Sequence, residues 1–217
     1  MTYTLVVILS ASIAFPAIIG AIRYSTINPV YYPFLYCIWL GFLNEIIGYF
    51  VVRSGNSNAF NNNLYTLAEA ILFTWLFKRW GVFNRSRHTF LLLVAVYCVA
   101  WLTETFLLDR MKHNTSYFRV LYAFVIVLLS IQTIYTQLIL EKRNILKNSV
   151  FLICAGFVIY YTYNVIVGLF WLYGLNASLE FQMSIINIMI FINCFVNLIY
   201  ALAVLWMPTK HRFSLPS

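Results

Sequence analysis

A chain of 217 residues that is 63% hydrophobic and only 9% charged lies far from soluble proteins, in which about a quarter of residues are charged. With a mean hydropathy of +0.84, its expected solvent is lipid. The formal net charge of +8 does not signal a nucleic-acid partner, because the basic residues stand at the ends of hydrophobic segments instead of sharing one face of a folded domain.

A helix that crosses the hydrocarbon core needs about 20 mainly apolar residues. Seven stretches qualify, at 3–22, 33–52, 62–79, 88–108, 117–140, 149–174 and 182–207. The first begins almost at Met1 without a basic leader, and no A-x-A cleavage site precedes Pro16 and Arg23. It is read as a retained helix, not a removed signal peptide. Lipid offers the backbone no hydrogen-bond partner, so segments of this length must be helices. The expected fold is all-α, a polytopic membrane bundle of about seven transmembrane helices. It forms one domain over 1–207, with a short tail at 208–217.

The joints between these stretches differ in charge. Arg23, Lys78, Arg79, Arg85, Arg87, Lys142, Arg143, Lys147, Lys210 and Arg212 fall on one side, and Arg53, Arg110, Lys112 and Arg119 on the other. Basic residues accumulate in cytoplasmic loops, so the N-terminus is expected outside and the C-terminus in the cytoplasm of an inner membrane. Tyr31, Tyr32, Trp80, Trp171, Tyr173 and Trp206 stand at segment ends, the level at which amphipathic rings meet lipid headgroups.

Three acidic residues lie well inside the apolar stretches: Glu45, Glu69 and Glu104. A charge near the bilayer centre costs about 2.5–3.5 kcal/mol on insertion scales, so each needs a partner or a water-filled cavity. At about 1.5 Å per residue all three fall in the outer half, with Arg119 at the same level as counter-ion. Asn44, Asn62, Asn63, Tyr65, Asn164 and Asn187 add amides and a hydroxyl at comparable depth. One outward-facing ligand pocket is expected, with Glu104 and Arg119 as its ion-paired lip. A network of protonated or paired glutamates that only fixes helix packing accounts for the same residues. Two further stripes follow helical spacing: Tyr160, Asn164, Gly168 and Trp171 on the sixth stretch, and Asn193, Asn197 and Tyr200 on the seventh.

Other chemistry is missing from the sequence. His88, His113 and His211 sit at helix ends or in the tail, and Cys37, Cys98, Cys154 and Cys194 show no CxxC spacing. No metal and no cofactor is expected. No G-x-S-x-G elbow, Gly-rich phosphate loop or HExxH motif occurs, and a lipid-modifying enzyme is the least favoured reading.

The segment from Asn197 to Trp206, followed by Met207, Pro208, Thr209 and Lys210, together with Asn63 to Glu69, resembles a family of small, uncharacterised seven-span bacterial membrane proteins. The resemblance covers most of the chain and implies the seven-helix fold, but no activity. On the residues themselves, the expected function is a receptor-like or signalling-accessory protein. It would bind a small or lipidic ligand from outside and act on a membrane or cytoplasmic partner. The alternative is a small-solute transporter or proton-coupled exchanger that uses the intramembrane glutamates.

Overall fold

The structure, a computed structural model, describes residues 9–84, 87–107, 117–140, 147–173 and 178–210. Among them are seven α-helices and no strand: α1 (Ala14–Arg23), α2 (Tyr32–Arg53), α3 (Ala59–Arg79), α4 (Arg87–Leu102), α5 (Tyr117–Leu140), α6 (Ser149–Leu172) and α7 (Leu179–Trp206). A 3-10 turn, Ala11–Ile13, leads into α1, and a π-helical turn, Thr103–Leu107, extends α4.

Local sequence explains where the helices start and stop. Asn28 accepts from the Val30 amide ahead of Pro29, Asn148 accepts from the amides of Val150 and Phe151 at the head of α6, and Ser178 accepts from Phe181 at the head of α7. Each satisfies backbone donors that a helix N-terminus leaves open. Gly55 and Gly81, at φ +77° and +84°, follow the ends of α2 and α3. There a left-handed residue lets Asn56 and Val82 donate back to the carbonyls of Val51 and Phe77.

Among the described residues, five helices are long and apolar enough to cross a membrane, namely Pro29–Arg53, His88–Phe106, Tyr117–Thr136, Ser149–Leu172 and Leu179–Trp206. The chain is therefore a helical membrane protein. Two of the seven expected spans do not reach this measure. The apolar helix Ala11–Arg23 is shorter, and the first residues of the expected 3–22 span lie outside the described ones. α3 carries Asn61, Asn62, Asn63 and Glu69 in its first half, and these lower its hydropathy. It keeps Asn63, Thr66, Glu69 and Thr74 buried against its neighbours.

Each of these helices packs on the next in the chain, α1 closes the ring on α7, and α3 also reaches α5. Directions alternate. Asn44 pairs with Asn61 and Asn62 across antiparallel α2 and α3. Arg119 meets Thr66 and Tyr122 meets Glu69, so α3 and α5 run parallel. The amide of Asn197 donates to Ser12 Oγ at 2.9 Å and the Arg23 guanidinium to the Val204 carbonyl, so α7 runs parallel to α1.

The middle of the bundle is aromatic. Phe73 and Phe157 stand 4.4 Å apart by ring centroid, Phe34 meets Tyr200 edge-on at 5.2 Å, and Phe77 meets Trp80 edge-on at 5.5 Å. Offset and edge-to-face pairs of this kind add about 0.5–1.5 kcal/mol beyond the area they bury.

One end of the bundle is stitched by backbone contacts. The Arg23 guanidinium donates to the carbonyls of Val204 at 2.5 Å, Met207 at 3.2 Å, and Leu205. These carbonyls close α7, where a cation also complements the helix dipole. The Asn28 amide donates to Pro208 O at 3.0 Å, and the Lys210 amide to Thr26 O at 2.8 Å.

Candidate functional site

Glu69 lies midway along α3, 7% exposed. Its carboxyl is held by two phenols: Tyr65 Oη donates to Oε1 at 2.7 Å from one turn earlier on α3, and Tyr122 Oη donates to Oε2 at 2.7 Å from α5. The Tyr161 hydroxyl approaches the same group from α6. The guanidinium of Arg119, on the turn of α5 before Tyr122, is close enough for its charge to act on Glu69, Tyr122 and Tyr160. Arg119 Nη2 lies 3.5 Å from Thr66 Oγ1, and its Nε is buried without a hydrogen-bond partner among the described residues.

Beside this cluster is a cavity of about 60 Å³ whose polar lining includes Glu69, Cys37, Tyr160, Asn193, Asn197 and Tyr200. One water needs about 10–15 Å³ of such space and two to four polar partners. The chamber therefore suits a few waters and excludes an organic ligand of ordinary size. A carboxyl caged by phenols and water can take up or release a proton while its hydrogen-bond partners stay in place.

Glu45 occupies a different compartment. It is exposed on α2 and lines a cleft of about 540 Å³ together with Asn44, Asn58, Asn62, Phe42 and Phe50. The amides tie the head of α3 to α2: Asn61 Nδ2 donates to Asn44 Oδ1 at 2.7 Å, and Asn44 and Asn58 both donate to Asn62 Oδ1, at 3.3 and 3.2 Å. Asn44 stands level with Asn61 and Asn62, so Glu69 lies about 10–12 Å further along α3 than the Glu45 level.

The single pocket expected from sequence thus divides into separate environments. Glu104, 2% exposed, accepts from the backbone amides of Tyr117 and Phe118 at 3.1 and 2.7 Å and so caps α5 from the π turn that ends α4. Where the sequence suggests an ion pair of Glu104 with Arg119, the guanidinium extends instead to Thr66 and the Glu69 level. Asn164 donates to the Tyr160 carbonyl at 2.9 Å within its own helix. Asn187 is half-buried on α7 and lines neither cavity. Of the expected set, Glu69, Tyr65 and Arg119 come together, and Asn44 and Glu45 form a second group.

The stripe of Asn193, Asn197 and Tyr200 does face the Glu69 chamber. Tyr122 was not among the expected site residues. Its signal in the sequence is its spacing of three residues from Arg119, which puts both on one helical face. No family model, curated protein or solved structure matches the chain. Fold and site together define a class: a helical membrane protein with a phenol-caged carboxyl at mid-bundle and a second, open carboxylate cleft.

Proposed function

We propose that this chain is a receptor-like or signalling-accessory membrane protein that takes a small or lipidic ligand in the Glu45 cleft. The observation that carries the reading is the chemistry of that cleft. About 540 Å³ is within the range of small-molecule sites. Its apolar wall of Phe42, Ile46, Phe50 and Val52 suits an acyl or aromatic body. Two acceptors belong to its lining, the exposed Glu45 carboxyl and Asn58 Oδ1, and the second is buried with no hydrogen-bond donor among the described residues. A ligand with an apolar body and a cationic or donor-rich head complements both.

The excess of Arg and Lys at the end that holds Arg23, Lys78, Arg79 and Lys210 supports an arrangement with that end in the cytoplasm and the cleft facing outward. The localisation that goes with it is a bacterial cytoplasmic membrane. Single cysteines at Ser57 and Thr26, in a background without the native four, should label with an impermeant maleimide from outside and from inside respectively.

The binding test uses a long-chain alkylamine. It should raise the unfolding temperature of the detergent-solubilised protein, and the shift should be lost in Glu45→Gln. An equal shift in both proteins would remove Glu45 from the site.

A second reading, proton-coupled exchange, is favoured by one feature: the Glu69 chamber adjoins the cleft, with Ile13 in the lining of both. A carrier must expose its site to both sides in turn. Solute flux in proteoliposomes that depends on Glu69 would favour it over the receptor reading.

A further inference from the structure

Between the two cavities stands a thin partition. Gly41 of α2 is where the 3-10 turn ahead of α1 meets α3: a β-carbon there would lie 2.8 Å from Ile13 Cδ1 and 3.1 Å from Tyr65 Oη. The Ile13 side chain therefore borders both the cleft and the chamber. The Tyr65 hydroxyl, seated against the same glycine, is itself a donor to Glu69. Tyr160 lies near enough to feel the charge of both Glu45 and Glu69.

The opposite side of Glu69 is closed. Phe73, one turn further along α3, packs on Phe157, and Phe157 packs on Phe34 and Phe77. These four rings, with Leu76 and Ile153, are at most 4% exposed. They supply no polar atom to hold a water, and apolar space of this kind stays dry.

From this asymmetry we infer that Glu69 is a proton-binding site served from one side only, by way of the Glu45 cleft and past the Ile13–Tyr65 partition. Protons and water reach it from the end of the bundle that carries the α2–α3 joint, and the aromatic plug shuts off the end that carries Arg23 and Lys78. The groups facing or acting on Glu69 are Cys37 from α2, Tyr65 from α3, Arg119 and Tyr122 from α5, Tyr160 and Tyr161 from α6, and Tyr200 from α7. The step is a plain transfer. A proton that arrives from the cleft as hydronium ends on the Glu69 carboxylate and leaves a water molecule behind, while Tyr65 and Tyr122 keep their own protons and remain hydrogen-bonded. Occupancy of the cleft by any ligand would cover this path, which makes proton exchange at Glu69 a reporter of the cleft. The inference itself rests on the cleft's geometry and not on the ligand proposed for it.

The test uses the full chain in oriented proteoliposomes with infrared difference spectroscopy. The pH is changed on one side at a time, and the carbonyl band of the protonated carboxylic acid is followed. Glu45→Gln and Glu104→Gln, each made singly, identify the bands of the other two intramembrane carboxyls, and the band that neither change removes is the Glu69 candidate. Glu69→Gln should then abolish it. The band should follow the pH of the compartment at the α2–α3 joint and ignore the other side, and Ile13→Trp should slow its appearance. A band that follows the opposite compartment, or both, overturns the inference, as does a Glu69 carboxyl that never titrates between mildly acidic and mildly alkaline pH. A failure of alkylamines to bind would remove the proposed ligand and leave this result unaffected.

Discussion

The Tyr122 hydroxyl and the Glu69 carboxyl are 53 residues apart in the chain and 2.7 Å apart in space. This bond links α5 to α3 across the bundle, and Tyr65 completes the cage from within α3. A buried carboxyl without such donors is costly, because hydrogen bonds to a charged group contribute about 1.5–3 kcal/mol each and desolvation goes uncompensated when they are lost.

Tyr122→Phe is therefore expected to destabilise the protein by about 1.5–3 kcal/mol if the carboxyl is charged. Tyr65→Phe should cost less, because its partner lies on the same helix and the Tyr65 ring is only half-buried. The double variant should depart from additivity, since both donors share one acceptor. Thermal unfolding in detergent for the two single changes and the pair measures this. Strict additivity would mean that the phenols do not act through Glu69.

Glu104 caps α5 from outside the helix. Its replacement by Ala should cost about 1–2 kcal/mol, the usual range for a lost N-cap with a favourable dipole interaction. Glu104→Gln, which keeps an acceptor, should lose less. Hydrogen exchange at the amides of Tyr117 and Phe118, the two donors, should quicken in the Ala variant. Unchanged exchange there would show that the cap does not stabilise the helix start.

Arg23 holds three carbonyls at the end of α7. A lysine offers a point charge in place of a planar fork, so Arg23→Lys should recover only part of what Arg23→Ala loses. With the fork gone, a cysteine at Thr209, which pairs with Ile27 across the ends of the bundle, should label faster with maleimide. Equal labelling rates in all three proteins would argue that Ile27 and Thr209 hold the tail without Arg23.

Tyr24, in the α1–α2 joint, shares a hydrogen bond of 3.0 Å with Tyr36 of α2. That bond, followed by burial and the neighbouring phenols Tyr36 and Tyr32, pushes the Tyr24 hydroxyl up from 10.0 to about 12. A folded-state value above the unfolded one favours the protonated form. The contribution to stability is therefore complete below pH 10.0 and disappears as the pH rises through about 12. In ultraviolet titration, the late ionisation that Tyr24→Phe removes should return toward the ordinary range in Tyr36→Phe. An unshifted curve in that variant would refute the pairing.

Gly156 and Gly168 mark close helix contacts of different tolerance. A β-carbon at Gly156 would run into the Tyr200 ring, and one at Gly168 into the Val120 side chain. Tyr200 is braced by Phe34 and Phe157, so Gly156→Ala should cost about 1–3 kcal/mol by overpacking. Gly168→Ala meets a half-buried valine near the end of the bundle and should cost less. The ranking of unfolding temperatures tests this, and a reversed order would contradict it.

Composition and spacing are enough to show a helical membrane protein, where most of its helices run, and which carboxyls are expensive to bury. Hydropathy and helical spacing are local properties, and the requirement that lipid-embedded backbone satisfy itself leaves helices as the outcome for runs of this length. The stripe from Asn193 to Tyr200 and the pairing level of Asn44 with Asn62 were legible for the same reason. How those carboxyls are partnered follows from the packing of the helices. Depth along a helix is read from residue number, but the direction a side chain faces depends on which helices become neighbours. That separated Glu45 from Glu69, turned Arg119 toward Thr66, brought Tyr122 to Glu69, and committed Glu104 to two backbone amides that no charge pattern could announce.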